Sequence, residues 1–384
     1  MLLRAVECRG YKGFRQPTRL ALRKITVLFG KNNSGKTTLA RLPLFAAASL
    51  SNPESMYALS HNGLTFGSSF ADLASVDQPH PNIMFGLEWS RKNRISINLQ
   101  HVVSRIQIDS VQPVLVGIDQ DINVTFNLQA NPSESVYRQL ELAMSKEQQE
   151  RLHLRTTAAR ALLDQIIHIP SLRPKIETTY TARKSGSQTV DEVPYLLSNQ
   201  RSLLGIVDDW FKTSFDGVSI SVDQAAFAFQ LAELRSGLPV NLAESGRGLQ
   251  SALPVVALLL ALSGSKQKAR LVVLEEPEAH LHPSVHGAMA DLVIRCARRS
   301  QVIVETHSEN FILRLRRRIA EAHLKHADVG LYYLDEVRNV IPVRLDHSGT
   351  TDNWPSGVFE SDIEEARAIV EAKVSAMHSM GDAT

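Results

Sequence analysis

Gly30-Lys31-Asn32-Asn33-Ser34-Gly35-Lys36-Thr37-Thr38 is the stretch whose residue types and spacing could do chemistry. Its glycines allow backbone conformations that a Cβ would forbid. The N–H groups of such a loop turn inward and cradle an anion. A helix opening at its end adds the favourable field of a helix N-terminus. Lys36 is spaced to reach the β- and γ-phosphates of a bound nucleotide, and the Thr37 hydroxyl to meet Mg²⁺. An apolar, β-branched run from Ile25 leads in, and Leu39-Ala40-Arg41-Leu42 leads out as a helix. Strand, glycine loop and helix together make a P-loop.

A second chemical position is Leu271-Val-Val-Leu-Glu275-Glu276-Pro277. The apolar run reads as a strand buried in a parallel sheet. Its two carboxylates emerge at the C-terminal edge, where ligands of α/β sheets bind. Glu275 is expected to hold Mg²⁺ through water. Glu276 is expected to orient or deprotonate an attacking water. Val302-Ile-Val-Glu305-Thr306-His307-Ser308 forms the next such strand and its exit. His307 can contact a γ-phosphate and sense its loss; the plainer reading is a histidine beside a helix that Ser308 caps. Ser245-Gly246-Arg247-Gly248 opens another helix and reads as a second anion site, or as a flexible turn with an N-cap.

The elements that must position these residues follow from periodicity. Residues 2–9 and 18–29 read as strands around Gly10-Tyr11-Lys12-Gly13-Phe14, a hairpin turn. The helix after the P-loop runs to about Leu50, with Pro43 as an expected kink. Residues 83–128 alternate as an antiparallel meander and 133–165 read as helix. A polar stretch at 181–193 precedes a helix near 194–212, then strands at 217–223, 226–234 and 238–242. Strands at 270–274 and 301–305 alternate with helices at 283–299 and 308–322. A closing hairpin spans 331–345, and an amphipathic helix spans 359–378.

The chain of 384 residues is 43% hydrophobic and 21% charged, a globular composition with room for a substantial core. The net charge of +2 gives no global nucleic-acid signal. Cys8 and Cys296 fit no metal spacing and read as ordinary thiols of a reducing compartment. The longest apolar run, Leu253 to Leu262, is too short to span a bilayer, so the expectation is a cytoplasmic chain without a membrane segment.

With these motifs in hand, the sequence resembles the ATPase heads of the ABC type, in the RecF, SMC and OLD-like group. The resemblance rests on the N-terminal strand–Gly-Tyr-Lys-Gly-Phe–strand–P-loop layout, on Glu275-Glu-Pro-Glu-Ala-His-Leu-His-Pro283, and on Glu305-Thr-His-Ser308. Asn353-Trp354-Pro355-Ser356-Gly357-Val358-Phe359 is similar to a terminal motif of a stand-alone bacterial branch. The likeness covers both ends well and the 100–240 region poorly.

The resemblance implies an α/β P-loop NTPase, an ABC-type head with an antiparallel β subdomain and a short helical insertion. Residues 1–128 would form an N-terminal lobe, 129–215 the helical insertion, 216–350 a C-terminal lobe and 351–384 a helical tail. It also implies a Mg²⁺-dependent ATPase working as a head-to-tail homodimer. Each ATP would lie between the P-loop of one chain and the Ser245–Gly248 signature loop of the other. Three features depart from the pattern: Glu275 stands where most heads carry Asp, the usual glutamine of the Q-loop has no clear equivalent, Asn62 being the nearest, and Ser245-Gly-Arg-Gly248 lacks the transporter form of the signature while resembling RecF-type variants. OLD-family nucleases add a Toprim domain; 77 residues follow His307 and they hold no Asp-x-Asp motif, so the effector is expected to be a separate nuclease or toxin.

Three other features have weaker readings. Glu278, His280, His282 and His286 could form a metal cluster. Arg295, Arg298, Arg299, Arg314 and Arg316–Arg318 make basic helix ends that could meet DNA phosphates, or simply a solvated face. The 133–165 helix, at about 1.5 Å per residue, is far too short for an SMC-like arm. Regulation of an effector in anti-phage defence or DNA maintenance leads these readings. A RecF-like DNA clamp and a non-hydrolysing nucleotide scaffold are the alternatives.

Overall fold

The computed structural model describes residues 2–52, 57–75, 82–90, 93–101, 111–118, 122–126, 144–185, 187–225, 228–235, 238–264, 271–356 and 358–359. The expected tail helix at 359–378, beyond its first residue, and the first part of the expected 133–165 helix lie outside them.

The chain begins with β1 (Ala5–Arg9), β2 (Thr18–Ala21) and β3 (Ile25–Gly30), followed by α1 (Lys36–Leu50). Two short strands, β4 (Ser60–His61) and β5 (Leu64–Thr65), and a single turn, α2 (Phe70–Leu73), come next. The meander is β6 (Asn82–Ser90), β7 (Asn93–His101), β8 (Val111–Ile118) and β9 (Ile122–Phe126). Then come α3 (Lys146–Leu163), β10 (Ile166–Ile169), β11 (Tyr180–Thr181), α4 (Val193–Asn199) and α5 (Arg201–Ser214). Strands β12 (Ser219–Gln224), β13 (Ala228–Arg235) and β14 (Leu238–Asn241) lead to α6 (Arg247–Gly264). The last part is β15 (Leu271–Glu275), α7 (Pro283–Ala297), β16 (Gln301–Glu305), α8 (Glu309–Ala320), β17 (Val329–Leu334) and β18 (Val340–Val343).

The central sheet runs β10-β15-β16-β3-β17-β18, parallel except for β18. Its inner strands are buried on both faces, as their continuous apolar runs require. Successive side chains alternate between two cores. Ile25, Val27 and Phe29 join α6 and α7 on one side, and Leu28 joins α1 and the antiparallel sheet on the other. By length and hydropathy α6 could cross a membrane, yet 67% of it is buried inside this protein as a core element.

The second sheet runs β2-β1-β6-β7-β8-β9 and is antiparallel. The meander was legible in its described strands, the expected strand at 102–108 lying outside the described residues, but its continuation through β1 was not. The pairing of Val6 with Leu87 joins segments far apart in sequence, and no local pattern announces such a partner. The strands β3 and β17 likewise interleave segments expected in different lobes, since β3 lies between β16 and β17. The helix expected near 194–212 is two helices meeting at Gln200. The polar 181–193 stretch is tied down by Arg183, which stacks over the Tyr195 ring at 3.7 Å and pairs with Glu192. Helix α1 passes through Pro43 without interruption.

The 354–359 segment closes against the P-loop strand. Phe29 stacks on Trp354 at 5.2 Å and on Phe359 at 6.2 Å, and Trp354 Nε1 donates to the Val358 carbonyl. Trp354→Ala removes the larger partner of a buried ring. It is expected to lower unfolding stability by about 2 kcal/mol in denaturant titrations.

Candidate functional site

The P-loop spans the turn from β3 to α1. Gly30 has φ 145°, Asn33 φ 64° and Gly35 φ 93°, so three of its residues adopt left-sided backbone. A Cβ at Gly30 would stand 2.3 Å from the Leu334 carbonyl oxygen, so only glycine fits there. Lys31, Asn32 and Asn33 are exposed, Ser34 and Lys36 are buried, and Thr37 and Thr38 open α1 half-buried. Lys36 Nζ donates to the carbonyls of Gly30 at 3.0 Å and Lys31 at 2.7 Å, curling back over the loop. Burial lowers the Lys36 pKa, while Glu305 and Glu276 oppose that shift. Phe14 lies against Gly35, with the Arg338 guanidinium 5.9 Å from its ring centre. Beside them opens a cleft of about 1160 Å³ lined by Lys12, Phe14, Arg15, Asp72 and Arg338, among others.

The sheet order decides what meets the loop. Strand β16 lies between β15 and β3, with Glu305 paired in register to Glu275 on one side and Leu28 on the other. The acid nearest the loop is therefore Glu305. Its Oε1 accepts from Thr37 Oγ1 at 2.7 Å. Its Oε2 is buried without a partner. Burial, with added repulsion from Glu275, raises its carboxyl to about 7 despite the Thr37 hydrogen bond. Sequence reasoning missed Glu305 because nothing local says which strand neighbours β3.

Glu275 has a different environment from the one its motif suggested. Arg41 Nε and Nη2 bind its two oxygens at 2.5 and 2.7 Å, and His168 Nε2 lies 2.7 Å from Oε1. The Ser171 N–H donates to Oε2 at 3.2 Å. The side chain is wholly buried. Burial alone would raise its carboxyl, but Arg41 and His168 outweigh it and hold it at about 2. Arg41 lies in α1 and His168 in β10, the strand paired to β15. Neither belongs to a motif, and β10 is too short to stand out in the sequence.

Glu276 follows with φ 41°, left-handed backbone in a non-glycine residue. Two main-chain contacts hold it there. Its N–H donates to the Glu305 carbonyl at 2.8 Å, and its carbonyl accepts from Arg173 Nη2 at 2.8 Å. Arg173 also binds the Glu275 carbonyl and Ser251 Oγ. Burial depresses its pKa to about 10. Glu276, Glu305 and His307 each offer an atom within 4.8 Å of the others, the one such grouping among the described residues.

His307 follows β16 with part of its surface exposed; burial of the remainder, with the Lys36 charge, lowers its pKa. Its N–H and the Thr306 hydroxyl both donate to Glu278 Oε1 at 2.7 Å. Ser308 caps α8 through the Phe311 N–H and also meets His286 Nδ1 at 2.7 Å. His282 caps α7. Glu278, His282 and His286 are thus engaged separately, and the metal cluster considered from sequence does not assemble.

The Ser245–Gly248 loop precedes and opens α6. Arg247 and Gly246 are exposed, and Ser245 Oγ is buried without a partner. Among the described residues no hydrogen bond or ion pair joins this loop to residues 30–38. Asn62 sits in the β4–β5 turn at φ 45°. The α8 arginines are engaged within the chain: Arg314 and Arg318 with Asp291, Arg317 with Glu321, and Arg316 with the Gly349 carbonyl.

A bound triphosphate with a divalent cation fits these residues. Ser34 Oγ in the cradle and Glu305 Oε2 beside Thr37 are buried polar atoms left unpartnered, which are costly unless a ligand meets them.

The profile of a family described as AAA ATPase domain matches residues 125–312. No curated protein matches the chain. An SMC head solved with the C-winged helix domain of ScpA superposes with a TM-score of 0.52 at 14% identity, over 90% of this chain and 99% of that one. The SMC head domain of Thermotoga maritima gives a TM-score of 0.45 at 11% identity, over 90% of this chain and 100% of that one. A Pyrococcus furiosus Smc head, with an extended coiled coil and bound to the C-terminal domain of ScpA, gives 0.47 at 13%, over 97% and 99%. The chain has the P-loop ATPase fold of SMC heads, and the family match supports an ATP-binding ATPase.

Proposed function

We propose that the chain hydrolyses ATP at the seam of a head-to-tail homodimer and thereby regulates a separate effector protein. The observation that carries the hydrolytic part is the convergence of Lys36, Thr37, Glu276, Glu305 and His307 at one sheet edge. Lys36 and the loop N–H groups bind the β- and γ-phosphates. The nucleoside takes the cleft beside Phe14. Thr37 and the acids beside it would hold Mg²⁺, which would supply charge neutralisation on the phosphate oxygens. Glu276 accepts a proton from the attacking water, and its fixed backbone aims the carboxylate. His307 donates to the γ-phosphate. Ser245, Gly246, Arg247 and Gly248, which form no hydrogen bond to their own P-loop among the described residues, close over the nucleotide of a second copy.

An SMC head of this fold binds another protein's domain, a precedent for a separate partner here. Anti-phage defence or DNA maintenance are the settings this reading favours. A DNA clamp takes second place, because the α8 arginines already have partners within the chain. Steady-state phosphate release tests the proposal. Wild-type turnover that falls to background in Lys36→Ala supports it, and wild-type turnover no higher than that variant sinks it.

A further inference from the structure

Two carboxylates at this sheet edge compete for the role of cation ligand, and their surroundings separate them. Glu275 occupies the position that the motif assigns to metal. Its two oxygens already receive Arg41 Nε and Nη2, His168 Nε2 and the Ser171 N–H. A carboxylate has about four lone-pair sites, and four donors fill them. Turning Glu275 toward a cation would strip the Arg41 guanidinium of its counter-charge.

Glu305 is built the other way. Only 3% of its surface is exposed. One oxygen accepts a hydrogen bond from the Thr37 hydroxyl at 2.7 Å, which leaves the Thr37 lone pairs free to face a cation. The other oxygen has no partner at all. Around it, Glu276 and His307 bring ligand-capable atoms within 4.8 Å. An unpartnered buried carboxylate oxygen beside a P-loop threonine has the chemistry of a divalent-cation ligand.

We infer that Glu305, with Thr37, meets the divalent cation of the bound nucleotide, and that Glu275 is a positioning residue locked to Arg41 and His168. The sheet order permits this exchange, since β16 lies nearer to β3 than β15 does. The pairing of Glu275 with α1 and β10 keeps β15, and hence Glu276, at a fixed height beside the loop.

The inference rests on the ATP reading, and one set of titrations separates the two. Binding of the fluorescent analogue mant-ATP is measured in Mg²⁺ and in EDTA for wild type, Glu305→Gln and Glu275→Gln, with melting curves for each. Mg²⁺ is expected to tighten wild-type binding about tenfold. Glu305→Gln should reduce that gain to about twofold or less while binding in EDTA stays near wild type. Glu275→Gln should keep the Mg²⁺ gain and melt at lower temperature. A Glu305→Gln protein that keeps the full gain, or a Glu275→Gln protein that loses it while melting like wild type, overturns the inference. So does a wild type that binds mant-ATP with no response to Mg²⁺. A wild type that binds no mant-ATP in either buffer overturns the ATP reading, and the inference with it. Glu305→Asp, which keeps the charge on a shorter stem, is a second variant for the case where the glutamine does not fold: a weakened Mg²⁺ response is expected, and an unchanged one overturns the assignment.

Discussion

Glu276→Gln is expected to cut ATP turnover by about 10²–10³-fold while leaving ATP binding within about twofold of wild type. The amide keeps the size and the hydrogen-bonding reach of the side chain but accepts no proton. The main-chain contacts that fix this residue, its N–H to the Glu305 carbonyl and its carbonyl to Arg173, do not involve the side chain and survive the substitution. The defect should therefore lie in the chemical step and not in folding. Because hydrolysis is what would release the closed seam, the variant should also accumulate an ATP-dependent dimer on size-exclusion chromatography. Turnover at wild-type level removes Glu276 as the base. Slow turnover with a persistent monomer removes the two-chain seam and keeps the chemistry.

The second large effect is on stability. Glu275→Ala leaves the Arg41 guanidinium, which reaches across from α1 with 27% of its side chain exposed, without its counter-ion; breaking a fully buried pair from one side costs about 3–5 kcal/mol, an upper bound here. Linkage gives a similar size. A carboxyl moved from 4.5 to about 2 is worth about 3 kcal/mol at neutral pH. Its folded pKa is depressed, so this contribution is complete above pH 4.5 and is lost as pH falls toward 2. The gap in stability between wild type and Glu275→Ala should hold from pH 7 to about pH 5 and then narrow, read by denaturant titration at each pH. The double variant with Arg41→Ala should be less destabilised than the sum of the single ones, by about 1–3 kcal/mol. Simple additivity would mean that the pair is not coupled.

These two acids also show what the sequence could and could not tell. The P-loop, both buried strands and the acid pair were legible, because each is a local pattern: an apolar run, a glycine spacing, a charge at a strand end. The surroundings of Glu275 and Glu305 were not. Which acid faces the loop depends on the order β15-β16-β3, and strand order is a property of chain packing over long separations. Arg41 and His168 each stand alone in sequence, with no partner nearby to mark them, and β10 is only four residues long. The same limit hid the union of β1 with β6. Helix ends fared better, since capping is local: Ser308 caps α8 as its position before the helix suggested.

Gly248 carries a consequence for genetics. A Cβ placed there would lie 2.8 Å from the His280 carbonyl oxygen, so the start of α6 rests directly on the turn that follows the acid pair. Any side chain at 248 must push that turn, and the push is delivered to backbone, which cannot rotate out of the way. In a screen for loss of function, an allele at 248 would be filed with lesions of the contact surface. Its injury would lie inside its own protomer, in the loop that sets Glu276. Complementation between such an allele and a P-loop allele would then fail, although a division of labour between two surfaces predicts that it should succeed.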